Sequence, residues 1–317
     1  MSSVDQRAAI DPRHQDWESL GCILRAADAR VTWMHAYAGA SFAIPAKDGN
    51  GLDVYVTGRD RQNRSQIGRV RLVIDAKPRV VEVDSQPALG LGSHGAFDEN
   101  GVSYPCLVRH EGKLLMFYTG WVPAVLTSFQ NDLGLAIQAE DGSFQRVSRA
   151  PILARSDDDC FGIGSSFASF AEGRWHLWYT SFRSWGSSAQ EPKHVYWIKY
   201  ASGKSPMAWE RADVTAVGLQ HSGEFVVCRP TVIRDGGLWH MWYCWRGPHY
   251  RLGYATSDDG MRFERRDSAV AMPRAADGFD SYEQCYPHVF WHEGSLYMIY
   301  CGNGYGREGL GLARLRS

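Results

Sequence analysis

The stretch Tyr104-Pro105-Cys106-Leu107-Val108-Arg109-His110-Glu111-Gly112-Lys113-Leu114-Leu115-Met116-Phe117-Tyr118 decides the fold. Two apolar, β-prone runs flank a Glu-Gly pair, and that arrangement reads as a hairpin. The phrase recurs with its own variations. Its closing tyrosine reappears in Val54-Tyr55, Trp178-Tyr179, Trp242-Tyr243 and Ile299-Tyr300, so that successive tyrosines are 63, 61, 64 and 57 residues apart. Thirteen residues before four of these tyrosines stand Pro105, Ser166, Pro230 and Pro287, and before the first stands Phe42. The turns between the two runs are Glu111-Gly112, Glu172-Gly173, Asp235-Gly236 and Glu293-Gly294. A repeat of this length is one supersecondary unit used several times.

Each unit continues past its tyrosine. A third apolar run follows, as in Leu133–Ile137, Val195–Ala201, Arg251–Ala255 and Gly309–Ala313, and a short fourth run follows in most copies, as in Phe263–Arg266. No segment sustains a helical period. Four-stranded antiparallel units repeated five times predict an all-β chain, a five-bladed β-propeller. The last copy stops after its third strand, near Leu315, while an unassigned apolar run, Gly21–Arg25, lies at the opposite end. That run is expected to complete the last blade and close the ring, which removes two sheet edges. Residues 1–16 then form a lead, and 17–317 one domain.

Composition narrows the function. The net charge is −1, and no basic run suggests nucleic acid. No apolar stretch is long enough for a membrane helix, and Met1–Arg7 lacks the apolar core of a secretion signal. Seven cysteines, an odd count without Cys-x-x-Cys spacing, argue against a disulfide framework or a zinc site, and those at matched repeat positions, Cys228, Cys285, Cys244 and Cys301, read as small buried apolar residues, as fits a reducing cytoplasm. No loop has metal-ligand spacing, and no cofactor is indicated. Aromatics make up 13% of the chain, with 12 Trp, which suits inter-sheet packing and sugar-binding surfaces alike.

In a propeller, residues entering the first strand of each blade gather at one mouth. Twenty residues before the tyrosines stand His35, Asp98, Asp159 and Asp280, and in the fourth copy Gly223 with Glu224 beside it. Glu283 follows in the fifth copy. Asp98, Asp159, Glu224 and Glu283 are therefore expected as catalytic acids around the axis. Carboxylates that crowd one opening take different pKa values, as an acid/base pair for glycoside hydrolysis requires. His35, Glu99, Arg229, Tyr286 and His288 are expected near the same opening, and Tyr104 beside them as packing. Trp121, Trp185, Trp245, Arg246, Asn303 and Tyr305 follow second strands, whose loops return to that face. Of these, Trp121, Arg246 and Asn303 are expected to contact substrate. His94 and His249 read as structural.

These residues carry a likeness. The acid positions, the segment Phe97–Pro105 and Asn303-Gly304-Tyr305-Gly306 resemble the five-bladed β-propeller glycosidases of glycoside hydrolase families 43, 32 and 68, with the mannoside phosphorylases of family 130 as relatives. The resemblance implies that Asp98 is the base, Asp159 the orienting acid, Glu224 the proton donor and Glu283 an added acid. It implies a small-molecule or oligosaccharide substrate, with phosphorolysis, glycosyl transfer or plain carbohydrate binding as the alternatives to hydrolysis. The chain lacks the Asn-Asp-Pro-Asn and Arg-Asp-Pro motifs of the sucrose-acting families, which argues against a fructan.

Overall fold

The computed structural model describes residues 9–316 apart from 189 and 192. Half of the expected lead, residues 1–8, and with it the segment read for a secretion signal, lies outside the described residues. The chain is almost entirely β, with a propeller-like fold.

The first strand, β1, spans Gln15–Leu24. Four meanders follow. The first holds β2 (Ser41–Pro45), β3 (Leu52–Arg59), β4 (Ser65–Val73) and β5 (Arg79–Val83). The second holds β6 (Gly101–His110), β7 (Lys113–Pro123), β8 (Phe129–Gln138) and β9 (Phe144–Arg146). The third holds β10 (Ile163–Ala171), β11 (Arg174–Trp185), β12 (His194–Ser205) and β13 (Ala208–Val217). The fourth holds β14 (Val226–Asp235), β15 (Leu238–Arg246), β16 (Tyr250–Ser257) and the two-residue β17 (Glu264–Arg265). After the short β18 (Val270–Ala271), a last set contains β19 (Cys285–His292), β20 (Ser295–Cys301) and β21 (Leu310–Leu315).

The outer partner of β21 is β1, antiparallel, with Trp17 opposite Leu315 and Leu24 opposite Leu310. The strand expected near Gly21–Arg25 is thus present and longer, beginning at Gln15, where it also meets β18 in parallel. The five first strands pack beside one another in order, β2 with β6, β6 with β10, β10 with β14 and β14 with β19, and β19 in turn lies beside β2.

The hairpins follow from local sequence. Glu111-Gly112, Glu172-Gly173 and Glu293-Gly294 take positive φ at both central positions, as a tight two-residue turn between twisted strands requires. In the fourth unit the turn is Gly236-Gly237 rather than Asp235-Gly236, because two glycines accept the left-handed backbone more readily than Asp235, which stays in its strand.

Inside the units the repeat tyrosines are buried, and three face a third-strand glycine: Tyr118 meets Gly134, Tyr243 meets Gly253 and Tyr300 meets Gly311. A Cβ on Gly134 would sit 2.2 Å from the Tyr118 ring. The glycine is therefore the space into which the tyrosine lies. Cys106, Cys228, Cys244, Cys285 and Cys301 are buried free thiols, two pairs of them directly cross-strand, in agreement with their reading as small apolar residues. No helix among the described residues is long and apolar enough to cross a membrane.

Candidate functional site

The first strands carry a repeated irregularity just where the matched prolines stand. Pairing slips between Ser103 and Cys106, between Cys228 and Thr231, and between Cys285 and His288. At each slip the residue before the proline takes positive φ: Tyr104 at 56°, Arg229 at 55° and Tyr286 at 53°. A bulge of this kind re-aims a side chain. Such a conformation costs a non-glycine residue about 1–3 kcal/mol, and such strain gathers at functional sites. Two of these residues, Tyr104 and Tyr286, form the floor of a cavity of about 540 Å³.

The cavity wall is drawn from the whole chain. Tyr37 and Arg59 come from the first unit and Trp121 and Phe129 from the second. Lys193, His194 and Tyr196 come from the third, Arg246 and Tyr250 from the fourth, and Tyr286 and Tyr305 from the last. The rings are packed edge and face: Tyr37 stacks on Tyr305 at 6.3 Å, and Tyr250 stands edge-on to Tyr286 at 5.6 Å. The hydroxyls of Tyr196 and Tyr250 are 3.3 Å apart. Burial raises the pKa of Tyr104 to about 12 and those of Tyr196, Tyr250 and Tyr286 well above the ordinary value, so all four are phenol donors at neutral pH. Burial, with Arg246 and Lys193 nearby, lowers His194 to about 4, leaving it neutral.

Among the described residues, no Asp or Glu lines this cavity. The residue twenty positions before the tyrosine reaches that tyrosine instead. The Tyr118 hydroxyl donates to Asp98 at 3.0 Å, that of Tyr179 to Asp159 at 2.9 Å and that of Tyr300 to Asp280 at 2.9 Å. Asp98, 0% exposed, also accepts from Arg146 Nε at 2.7 Å. Asp159 accepts from Ser181 and Arg211 and lies 3.4 Å from Lys199 Nζ. Glu224 takes Arg265 Nη1 at 2.9 Å and the backbone N–H groups of Gln220 and His221. In that fourth unit Asp267 stands in for the missing aspartate and accepts from Tyr243 at 2.5 Å.

Glu283 differs. It accepts from the backbone N–H of Gly304 at 2.9 Å and of Tyr250 at 3.3 Å, with His249 Nδ1 at 3.8 Å, and it has no guanidinium partner among the described residues. It is buried just behind the wall residues Tyr250 and Tyr305.

The other expected contacts divide. Trp121, Arg246 and Tyr286 line the cavity, as does Tyr305. Arg229 and His288 are buried behind the floor. Arg229 Nη2 donates to the carbonyls of Ser41 at 2.8 Å and Pro105 at 3.1 Å, and His288 lies with its ring 4.0 Å from that of Phe42. Three expected contacts lie away from the cavity. His35 is exposed over a separate hollow with Arg61 and Arg64. Glu99 clamps its own loop through Gly95 N–H and His94. Asn303 is buried, bridging Tyr282, Glu283, Gly278 and Glu308. Trp185 lines a smaller neighbouring hollow, and Trp245 packs on His221.

Phe129, His194, Tyr196 and Tyr250 were not expected. They begin third strands, which start at the same mouth as the first strands. The pairings Ser65 with Gly101 and Tyr196 with Val226 join the third strands β4 and β12 to the next first strands. Reading the third-strand starts as well as the first would have found them. A larger hollow of about 820 Å³ lies over outer strands of the first unit, but its Asp48, Asp53, Asp84, Arg69 and Arg71 satisfy one another.

A Mycobacterium tuberculosis (strain ATCC 25618 / H37Rv) protein, Rv1502, described as uncharacterized, is 35% identical over 304 residues, covering 95% of this chain and 99% of its own. The same identity and coverage hold for the uncharacterized protein MT1551 of strain CDC 1551 / Oshkosh. The chain belongs to their family. No family model matches it. Among solved structures, it resembles a thermostable family-43 glycoside hydrolase (TM-score 0.65, 13% identity, 87% of this chain and 88% of that one). It also resembles the Bombyx mori GH32 β-fructofuranosidase (0.61, 15%, 98% and 64%) and a further glycoside hydrolase (0.62, 13%, 98% and 90%). The structural neighbours are thus glycoside hydrolases, and at these identities the likeness shows the fold.

Proposed function

We propose that the protein is a five-bladed propeller, closed by its N-terminal strand, that binds a carbohydrate or glycosylated small molecule in the cavity at the mouth of its first strands. The observation that carries this reading is the wall, where Tyr37, Tyr104, Tyr250, Tyr286, Tyr305 and Trp121 surround about 540 Å³. Sugar rings offer C–H faces that pack on aromatic planes and hydroxyls that bond to phenols and guanidinium groups. The likeness to families 43 and 32 and the cycle of first strands support it. Calorimetric titration with a panel of glycans tests it. Saturable binding is expected, weakened about tenfold or more in Trp121→Ala or Tyr286→Ala, as for aromatic anchors in general. A panel in which nothing binds would remove the reading.

A second reading adds cleavage, and the shared fold favours it. Glycosidic hydrolysis needs one carboxylic acid on the leaving oxygen and one carboxylate on water or the anomeric carbon, roughly 5–9.5 Å apart. Glu224 as acid, Asp98 as base, Asp159 as orienting acid and Glu283 as an added acid fill these roles by position. The first three would have to exchange arginine or lysine partners for substrate. Glu283 would not. Aryl glycosides, with and without phosphate, are the assay. Turnover that drops a hundredfold or more in Glu283→Gln, Glu224→Gln or Asp98→Asn supports cleavage. Dependence on phosphate assigns phosphorolysis, and equal rates in all three variants end the acid–base assignment.

A further inference from the structure

The cavity gathers cations without acids. Arg59, Arg246 and Lys193 line it, and none has a carboxylate partner among the described residues. Many guanidinium groups elsewhere meet acids, such as Arg146 with Asp98, Arg211 with Asp159, Arg265 with Glu224 and Asp267, and Arg69 with Asp53 and Asp84, although Arg183, Arg174 and Arg251 do not. At the mouth, Arg246 lies over the rings of Tyr250 at 5.0 Å and Phe225 at 5.6 Å, and its Nε, though buried, has no hydrogen-bond partner among the described residues. Arg59 lies over Tyr37 at 5.0 Å and Trp121 at 5.8 Å and donates only to Asn63.

A fourth cation stands behind the floor. Arg229 is 1% exposed, 6.0 Å from the Tyr104 ring, and bonds only to backbone carbonyls through Nη2. Its Nε and Nη1 have no partner among the described residues. Charge in such a place acts over a longer range than in water, because little solvent screens it. Glu283, whose charge is felt by Arg246, is held by the backbone N–H groups of Tyr250 and Gly304. The wall therefore offers guanidinium, ammonium and phenol donors and lacks an anionic acceptor. A neutral sugar leaves that potential unanswered, whereas an anion accepts charge-assisted hydrogen bonds from it.

We propose that the ligand of this cavity carries an anionic oxygen group, a phosphate ester or a carboxylate on its sugar, and that Arg246 with Arg59 receives it. This rests on the carbohydrate reading above and names its substrate class. Stacking of the guanidinium planes on Tyr250, Phe225, Tyr37 and Trp121 holds them in place without neutralising them. A planar fork of donors is thus left for a carboxylate or phosphate edge.

The test uses the full chain at constant ionic strength, titrated with D-glucose, D-glucuronate and α-D-glucose 1-phosphate. Inorganic phosphate, compared with chloride for its effect on the unfolding midpoint, serves as a probe that does not depend on sugar identity. The anionic sugars are expected to bind about ten- to a hundredfold more tightly than glucose, the scale of one charge-assisted hydrogen bond. Whichever of glucuronate and glucose 1-phosphate is tighter identifies the anion. Phosphate is expected to raise the midpoint above that in chloride. Arg246→Gln and Arg59→Gln should each erase most of the anion preference with the circular dichroism spectrum unchanged. Arg59, which is partly exposed, provides the variant least able to disturb folding.

Glucose bound as tightly as its anionic derivatives would overturn the inference and leave the carbohydrate reading standing. Phosphate bound at Arg246 with no binding of any glycan would keep the anion site and remove the carbohydrate reading. Phosphate and chloride alike in effect, with no anion preference among sugars, would overturn the proposal.

Discussion

Asp98 and Arg246 mark two regions that treat charge in opposite ways. Asp98 sits inside a unit, fully buried, with Tyr118 and Arg146 on it. Asp159 and Asp280 repeat the tyrosine bond, and Glu224 and Asp267 share the corresponding work in the fourth unit. Charge there is held inside the unit, and it recurs in the units after the first, whose acids fix the loop entering the first strand, while the first unit has exposed His35 at that position. Arg246, at the end of β15, has aromatic faces instead of an acid, and so has Arg59 at the end of β3, while the other units end that strand without an arginine. A residue type that recurs at fixed spacing in such a chain reports on architecture. The positions where the units diverge are the ones that shape a site.

The comparison breaks first at Asp159. Replacing it with Asn leaves Arg211 and Lys199 facing a neutral amide, and should cost about 3–5 kcal/mol, the scale for breaking a buried pair, as read by urea unfolding. A near-neutral result would mean that this acid is held ready for a ligand rather than for the fold.

Acid should act next. The folded-state pKa of His288 is lowered to about 3 by burial and by Arg229, and that of His194 to about 4. Both lie below the ordinary 6.5, so their contribution is complete above about pH 6.5 and is lost as pH falls toward those values. Asp132, raised to about 6 by burial, works the other way, its contribution disappearing as pH rises through 6. Two histidines against one carboxyl predict a midpoint that declines on the acid side of pH 6.5. The His288→Gln variant should flatten that decline, and an unflattened decline would show that His288 does not govern it.

Smaller effects sharpen the picture. Gly134→Ala drives a methyl into the Tyr118 ring and should cost about 1–3 kcal/mol. Tyr118→Phe should cost about 1–2 kcal/mol by leaving Asp98 short of a donor. Arg246→Gln, at the mouth, gives up two ring contacts but no acid partner and should cost about 1 kcal/mol or less in stability, while changing ligand binding. A larger loss there would place Arg246 with the matched charges of the interior.

The hairpins, the terminal strand pairing and the buried cysteines were legible because each depends on residues close in sequence or on a repeated pattern. Glu111-Gly112 makes its turn by itself, and Cys228 faces Cys244 across one hairpin. The acids were legible as a pattern and misplaced in space. The interval of twenty between Asp98 and Tyr118 is the length of a loop and a hairpin that return the tyrosine hydroxyl to the carboxylate. The sequence shows the interval without showing which way the carboxylate turns. The cavity was legible only in part. Trp121, Arg246 and Tyr286 were found by their position after a second strand or before a proline, while Tyr196 and Tyr250 begin third strands that carry no such marker.

The amino-acid order alone determined an all-β chain of recurring β units whose N-terminal strand pairs with the last strand, because strand alternation and turn chemistry act over a few residues. Only the assembled fold decided which charges meet. Hydrogen bonds inside a unit turned the acids inward. Residues from Tyr37 to Tyr305 were brought together at one opening, where no carboxylate among the described residues lines the wall with the cations.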